Sequence, residues 1–138
     1  MKPFSFLRAV VLAAILFGCA PLLPQQTDLR QSPAAFAGSV GRVVDGDTFT
    51  LQGESRRVRV WGLDAPEGNR PGGSNATATM RQMVAGRWLQ CNLRDIDRYE
   101  RIVAQCFLPD GRDIAAEMIR AGVATEYCSF SRGYYGTC

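Results

Sequence analysis

Residues 59 to 67 read RVWGLDAPE, so Arg59 is followed five positions on by Asp64 and eight positions on by Glu67. Ala65 and Pro66 separate the two carboxylates, and charges of this kind are costly to bury without partners. Two further segments carry acids or arginines where a strand ends or turns: VDGDT, with Asp45 and Asp47, and DRYER, with Asp97, Tyr99, Glu100 and Arg101. Singly, each has a plain reading as a proline turn, a hairpin or a solvated loop tip. Together they suit one chemistry. Asp47 and Asp64 supply hard oxygen donors for a cation such as Ca²⁺, which needs neither imidazole nor thiolate. Arg59 and Arg101 can grip the oxygens of a phosphodiester and neutralise the charge that grows as phosphorus gains a fifth substituent. Glu67 can orient or deprotonate an attacking water. VDGDT is not an EF-hand fragment, because no bidentate glutamate follows at the loop spacing.

The missing residue types narrow the chemistry further. The chain of 138 residues has no histidine, and its single lysine is Lys2. Ser-His-Asp hydrolysis, histidine general bases, histidine zinc sites and lysine Schiff bases are all excluded. A catalytic domain here must work with carboxylates, arginines, tyrosines, hydroxyls or a metal held by oxygen.

Lys2 and Arg8 precede the apolar run AVVLAAILF, which is too short to span a bilayer and has the length of a signal-peptide core. Residues 1–18 are expected to be a signal peptide, 19–38 a lipid-anchor and linker segment, and 39–138 the working domain. Gly18 before Cys19, with Leu16 two positions back, fits lipidation of Cys19, so a cell-envelope lipoprotein is expected. Cleavage after AFA, before Gly38, would give a freely secreted form. Discounting Lys2 and Arg8 from sixteen basic residues, against thirteen acidic ones, leaves the domain at +1. No global basic field draws in a polyanion, so a local arginine cluster must do so. Export favours paired cysteines. Once Cys19 is lipidated or removed, Cys91, Cys106, Cys128 and Cys138 allow three connectivities, of which Cys91 to Cys106 with Cys128 to Cys138 is the most local.

The elements that must position the charged set follow from periodicity. From about Ser39, SVGRVV and TFTLQ are β-prone runs joined by the turn sequence DGD. Arg57, Val58, Arg59 and Val60 alternate as a third strand. Alternation alone would put Arg59 and Asp64 on opposite faces, so joint action requires a bend, for which Gly62 is suited. NATATMRQMVAGR predicts an amphipathic helix capped by Asn75, with Ala76, Met80, Met83 and Val84 on one face. WLQCNL and RIVAQCFL predict two more strands, with Cys91 and Cys106 facing across an antiparallel pair. Asp113 caps a second helix, IAAEMIRA, that Gly122 ends, and VATEY is a short last strand or extension. The expected fold is α+β, mainly β: a five-stranded OB-fold barrel with two packed helices, an architecture that often binds nucleic-acid strands.

VDGDT, RVWGLDAPE and DRYER, in that order, resemble the signature segments of the thermonuclease (staphylococcal nuclease-like) family, and the likeness continues through GRDIAAEMIRAGVA. It spans about Gly41 to Ala124. The resemblance implies that Asp47, Asp64 and the backbone carbonyl of Ala65 bind Ca²⁺. It implies that Arg59 and Arg101 bind phosphate, that Glu67 activates water, and that Tyr99 helps hold a phosphate. It further implies cutting of DNA and RNA with little base specificity, leaving 3′-phosphate ends. A monomer without a protein partner is expected. Ala65 stands where a threonine is common, and Glu100 where a glycine is often found. The long C-terminal helix of larger members has no counterpart, and the tail carries Tyr127, Phe130, Tyr134 and Tyr135, suited either to base stacking or to packing on the barrel. The rival reading is a non-catalytic OB-type envelope module that binds single strands or a protein.

Overall fold

The computed structural model describes residues 34–138. Elements run in the order β1 (Ala35–Val43), β2 (Thr48–Leu51), β3 (Arg57–Val60), β4 (Leu63–Asp64), α1 (Gly73–Val84), β5 (Trp88–Ile96), β6 (Ile102–Phe107), α2 (Ile114–Arg120), β7 (Thr125–Glu126) and α3 (Cys128–Ser131). Five strands close into a barrel in the order β1-β2-β3-β6-β5. The closure depends on β3 and β6, which pair in parallel with Arg59 opposite Val103. β1 serves two neighbours: its first half pairs with β5 and its second half with β2, with a register shift between Val40 and Val43. A bulged strand of this kind bends, which lets one strand turn the corner of a small barrel.

Alternation sorts the side chains as the sequence predicts. In β3, Val58 and Val60 are buried while Arg57 and Arg59 face away from the core. Phe49, Leu63, Met80, Leu89, Ile114 and Met118 are the largest apolar side chains fully removed from water, and they join the barrel to α1 and α2 in one core. Asp113 caps α2 as expected, its Oδ1 accepting from the N–H groups of Ala115 and Ala116. Cys91 and Cys106 are directly opposed across β5 and β6 and form a disulfide, and Cys128 bonds Cys138.

Two expectations need correction, and two small features were not expected. The first strand, β1, starts at Ala35, ahead of the expected β-prone run at Ser39, because Ala35 to Ser39 pair with Asn92 to Trp88 and complete the edge of β5. The helix α1 starts at Gly73 with Gly72 at its N-cap, and Asn75 lies inside the first turn. The cause is steric: a Cβ on Gly73 would lie 1.8 Å from the carbonyl oxygen of Glu67, so only glycine lets the helix begin there. A small second sheet, β4 with β7, pairs Leu63 with Glu126 and Asp64 with Thr125. The third helix, α3, is a single turn absent from the sequence reading. The expected signal peptide and Cys19 lie outside the described residues. Among the described residues no helix is long and apolar enough to cross a membrane.

The buried Cys91–Cys106 bridge closes a loop of 15 residues within a small core. Replacing both cysteines by alanine is expected to lower unfolding free energy by about 3 kcal/mol, read from urea denaturation at neutral pH. A loss of less than about 1 kcal/mol would show that strand pairing alone fixes this edge.

Candidate active site

Asp47 stands immediately before β2 and is only 5% exposed. A buried carboxylate needs partners, and Asp47 has three kinds. Its Oδ1 accepts from the Thr48 hydroxyl at 2.9 Å and lies 2.5 Å from Nη1 of Arg59. Its Oδ2 accepts from the Ala65 N–H at 3.2 Å. Arg59 reaches it because the Thr48–Arg59 register sets the two segments side by side. The other end of the guanidinium donates to the Leu63 carbonyl at 3.2 Å and lies 3.9 Å from Oδ1 of Asp64.

That contact requires the chain to reverse between Arg59 and Asp64. Gly62 makes the reversal with a φ of +72°, the bend that alternation demanded. Gly46 makes the other close approach: a Cβ there would lie 2.7 Å from the Cβ atoms of both Ala65 and Ala76. The Asp45-Gly46 turn is thus more than hairpin chemistry, since it wedges the 45–47 segment between the 65–67 turn and α1. Burial raises the pKa of Asp45, and the charges of Asp47 and Glu67 push it the same way. Negative potential therefore accumulates where the two turns meet.

Arg101 approaches from the loop before β6. Its Nε donates to Oδ2 of Asp97 at 2.7 Å, and its guanidinium carbon lies 5.5 Å from the centre of the Tyr99 ring. Oδ1 of Asp97 accepts from the backbone N–H groups of Tyr99 and Arg101. Burial opposes ionisation of Asp97, yet these donors and the Arg101 guanidinium hold its pKa below the usual carboxylate range. Glu100 adopts a φ of +60°, the left-handed conformation that glycine takes without strain. The cost of Glu100 at this site is therefore backbone strain as well as an added negative charge.

These groups share one cleft of roughly 680 Å³, whose lining includes Asp47, Arg59, Asp64, Glu67, Tyr99 and Arg101. Every side chain singled out from the sequence for chemistry is therefore in the cleft. Ala65 is not in its lining; the structure gives its backbone the role of donor to Asp47. Among the described residues no three His, Cys, Asp or Glu side chains are grouped closely enough to hold a metal ion. The donors present, two carboxylates approached by one guanidinium, are all hard oxygens and fit an oxygen-seeking cation rather than zinc or copper. Such a cation would need backbone oxygen and water to complete its shell.

The sequence left the aromatic tail undecided, and the structure divides it. Tyr127 and Phe130 line the cleft with ring centres 4.8 Å apart, and Tyr127 lies 5.9 Å from the Arg59 guanidinium carbon. Tyr134 and Tyr135 instead pack on Trp61. The Tyr135 hydroxyl donates to Asp113 at 3.1 Å, and burial with that carboxylate raises its pKa. Glu126 anchors the tail by accepting from the Ser131 hydroxyl, the Thr137 hydroxyl and the N–H groups of Tyr135 and Thr137. Desolvation would raise its pKa, but these donors outweigh it and hold the group at about 2. Trp61, Arg94 and Arg98 also line the cleft and were not singled out from sequence. For Arg94 the available signal was its place beside Asp95 just past the predicted strand WLQCNL, and that signal is weak.

A family model described as staphylococcal nuclease homologue matches residues 57–135. An Escherichia coli protein named uncharacterized endonuclease is 38% identical over 92 residues, covering 65% of this chain and 60% of its own length. A Shigella flexneri protein named micrococcal nuclease is 29% identical over 135 residues, covering 94% of this chain and 72% of its own length. The succinoglycan biosynthesis protein ExoI of Rhizobium meliloti is 33% identical over 106 residues, covering 69% of this chain and 54% of its own length. The chain thus spans about 60% of the Escherichia coli relative.

Two measurements test how the site is held. Alanine normally favours a helix over glycine by about 1 kcal/mol. At Gly73 overpacking against the Glu67 carbonyl outweighs that gain, so Gly73→Ala is expected to destabilise by about 2 kcal/mol in urea; an unchanged or higher midpoint would contradict the contact. For Glu126, the folded pKa of about 2 lies below the ordinary 4.5. Its contribution to stability is full above that ordinary value and is lost as pH falls from there through the folded value. The stability gap between wild type and Glu126→Gln should therefore be wide at neutral pH and narrow in acid; a gap independent of pH would remove Glu126 as the anchor.

Proposed function

Because the chain belongs to the staphylococcal nuclease homologue family, we propose that its cleft hydrolyses phosphodiester bonds of nucleic acids, as a Ca²⁺-dependent endonuclease. One observation carries this reading: Asp47, Arg59, Asp64, Glu67, Tyr99 and Arg101 come from separate segments and line a single cleft. The relatives named as nucleases add to it.

Arg59 and Arg101 grip the non-bridging oxygens of the scissile phosphate and offset the charge that builds as water adds to phosphorus. Arg59 is restrained by Asp47 and the Leu63 carbonyl, and Arg101 by Asp97, so little ordering entropy remains to be lost when the phosphate arrives. Glu67 is exposed and has no ion pair among the described residues, which leaves it able to orient the attacking water and accept its proton. The Tyr99 hydroxyl, on a ring 60% exposed, donates to a phosphate oxygen. A Ca²⁺ held by Asp47, Asp64 and the Ala65 carbonyl would add Lewis-acid neutralisation of the phosphate. The phosphorus–5′-oxygen bond breaks as the water oxygen bonds phosphorus, and the departing 5′-oxygen takes a proton from solvent, leaving a 3′-phosphate end and a 5′-hydroxyl. Recognition through phosphate rather than base edges accounts for action on DNA and RNA with little base specificity.

The same reading makes the protein an exported monomer, lipid-anchored at Cys19 in the cell envelope, and two formed disulfides suit an oxidising compartment. The rival, a non-catalytic binding module, draws on one observation: both arginines are already paired with carboxylates.

The test is incubation with single-stranded DNA, with Ca²⁺ and then with chelator. Chelator-sensitive cutting is expected, with a loss of about 10²-fold or more in Arg59→Ala and Glu67→Gln while their thermal unfolding remains cooperative. Tight binding without cutting in Ca²⁺ would favour the module instead.

A further inference from the structure

Arg94 lies in the cleft wall yet takes no part in the chemistry above. In the β5–β6 ladder Leu93 pairs with Ala104 and Asp95 with Val103, so Arg94 is the extra residue of a bulge. Bulges re-aim a side chain and are over-represented beside active sites. The guanidinium carbon of Arg94 lies 4.7 Å from the centre of the Trp61 ring, and its Nη2 donates to Oε1 of Gln105. Gln105 is 2% exposed, and its amide nitrogen donates in turn to Asp113 Oδ2 at 2.7 Å and to the Tyr134 hydroxyl at 3.3 Å. Tyr134 packs edge-on against Trp61 at 5.3 Å, closing the frame.

This frame fixes a residue that stays exposed. Immobilising so long a side chain costs up to about 2 kcal/mol of rotamer freedom. The other framed arginines have carboxylate partners, Arg59 with Asp47 and Arg101 with Asp97. Arg94 has none within salt-bridge distance among the described residues, so its charge and its remaining N–H donors are held ready without a counter-ion. Position supplies the last step. Arg59 and Asp95 both pair with Val103, from opposite sides, so Arg94 and Arg59 sit two strand spacings apart, about 10 Å at the backbone.

We propose that Arg94, stacked on Trp61, is a second phosphate subsite of the cleft. It binds a phosphodiester neighbouring the one held by Arg59 and Arg101, and so selects strands several nucleotides long over dinucleotides. The inference rests on the nucleic-acid reading of the cleft but not on cutting. Trp61 occupies one face of the guanidinium, leaving its N–H edge for an anion, the geometry in which arginine outperforms lysine.

The experiment measures anisotropy of a labelled twelve-nucleotide single strand and of a dinucleotide over a salt series. It uses the full chain in chelator and also the Glu67→Gln variant in Ca²⁺. Arg94→Met is expected to weaken binding of the long strand about tenfold and to lower the salt slope of log K by about 0.7, the value of one phosphate contact on a single strand. Dinucleotide binding should change less than about twofold. An unchanged slope, equal losses on both ligands, or no binding of the long strand in either condition would overturn the subsite. Should Arg94→Met not fold, Arg94→Lys decides: it is expected to keep the slope and weaken the long strand about threefold, and unweakened binding would overturn the role of the fixed fork. Long-strand binding with the expected slope change, but without cutting by the wild-type protein in Ca²⁺, would end the nuclease reading and leave the subsite standing.

Discussion

The site is organised around one buried carboxylate. Asp47 loses its water in folding, and the loss is tolerable only because Thr48, Arg59 and the Ala65 N–H meet it together. Those three partners belong to β2, to β3 and to the segment just after β4. Satisfying Asp47 therefore fixes how the three segments stand relative to one another. Arg59 and Asp64 become neighbours as a consequence, and Glu67 is delivered to the rim of the same cleft.

The glycines around this carboxylate do steric work that no other residue could do. Gly46 lets one turn press between Ala65 and Ala76, Gly62 reverses the chain, and Gly73 lets α1 start against the Glu67 carbonyl. At Gly73 two backbones approach within a distance that a Cβ would forbid, at Gly46 the neighbours are the Cβ atoms of Ala65 and Ala76, and at Gly62 a positive φ combines with the Tyr135 ring to exclude a side chain. Helix packing and site geometry are thereby coupled: α1 buries Ala76, Met80 and Val84 in the core while its first turn supports the carbonyl of a cleft residue.

The tail supplies the other wall. Glu126 gathers hydrogen bonds from Ser131, Tyr135 and Thr137, and the Cys128–Cys138 bridge closes the same segment. β7 pairs with β4, so the residues that turn Asp64 into the cleft are tied to those that present Tyr127 and Phe130. The cross-linked segment thus provides the aromatic wall of the cleft.

The strands and both main helices were legible because their burial follows period two or period 3.6, and β3 kept Arg57 and Arg59 outward as written. The charged set was legible because its residue types admit few reactions and histidine chemistry was absent. The start of β1 and the pairing of β4 with β7 were not, since each depends on a partner remote in sequence, β5 and Glu126; the cap of α1 was not, since it depends on a backbone close approach to the Glu67 carbonyl that periodicity does not encode. Arg94 escaped notice for the same reason, because a bulge is defined only by the register of two strands. Residue types and local periodicity thus determined which chemistry was available and which elements would carry it. Only the tertiary structure decided which charges meet, because long-range register and backbone close approach, unlike periodicity, leave no local trace.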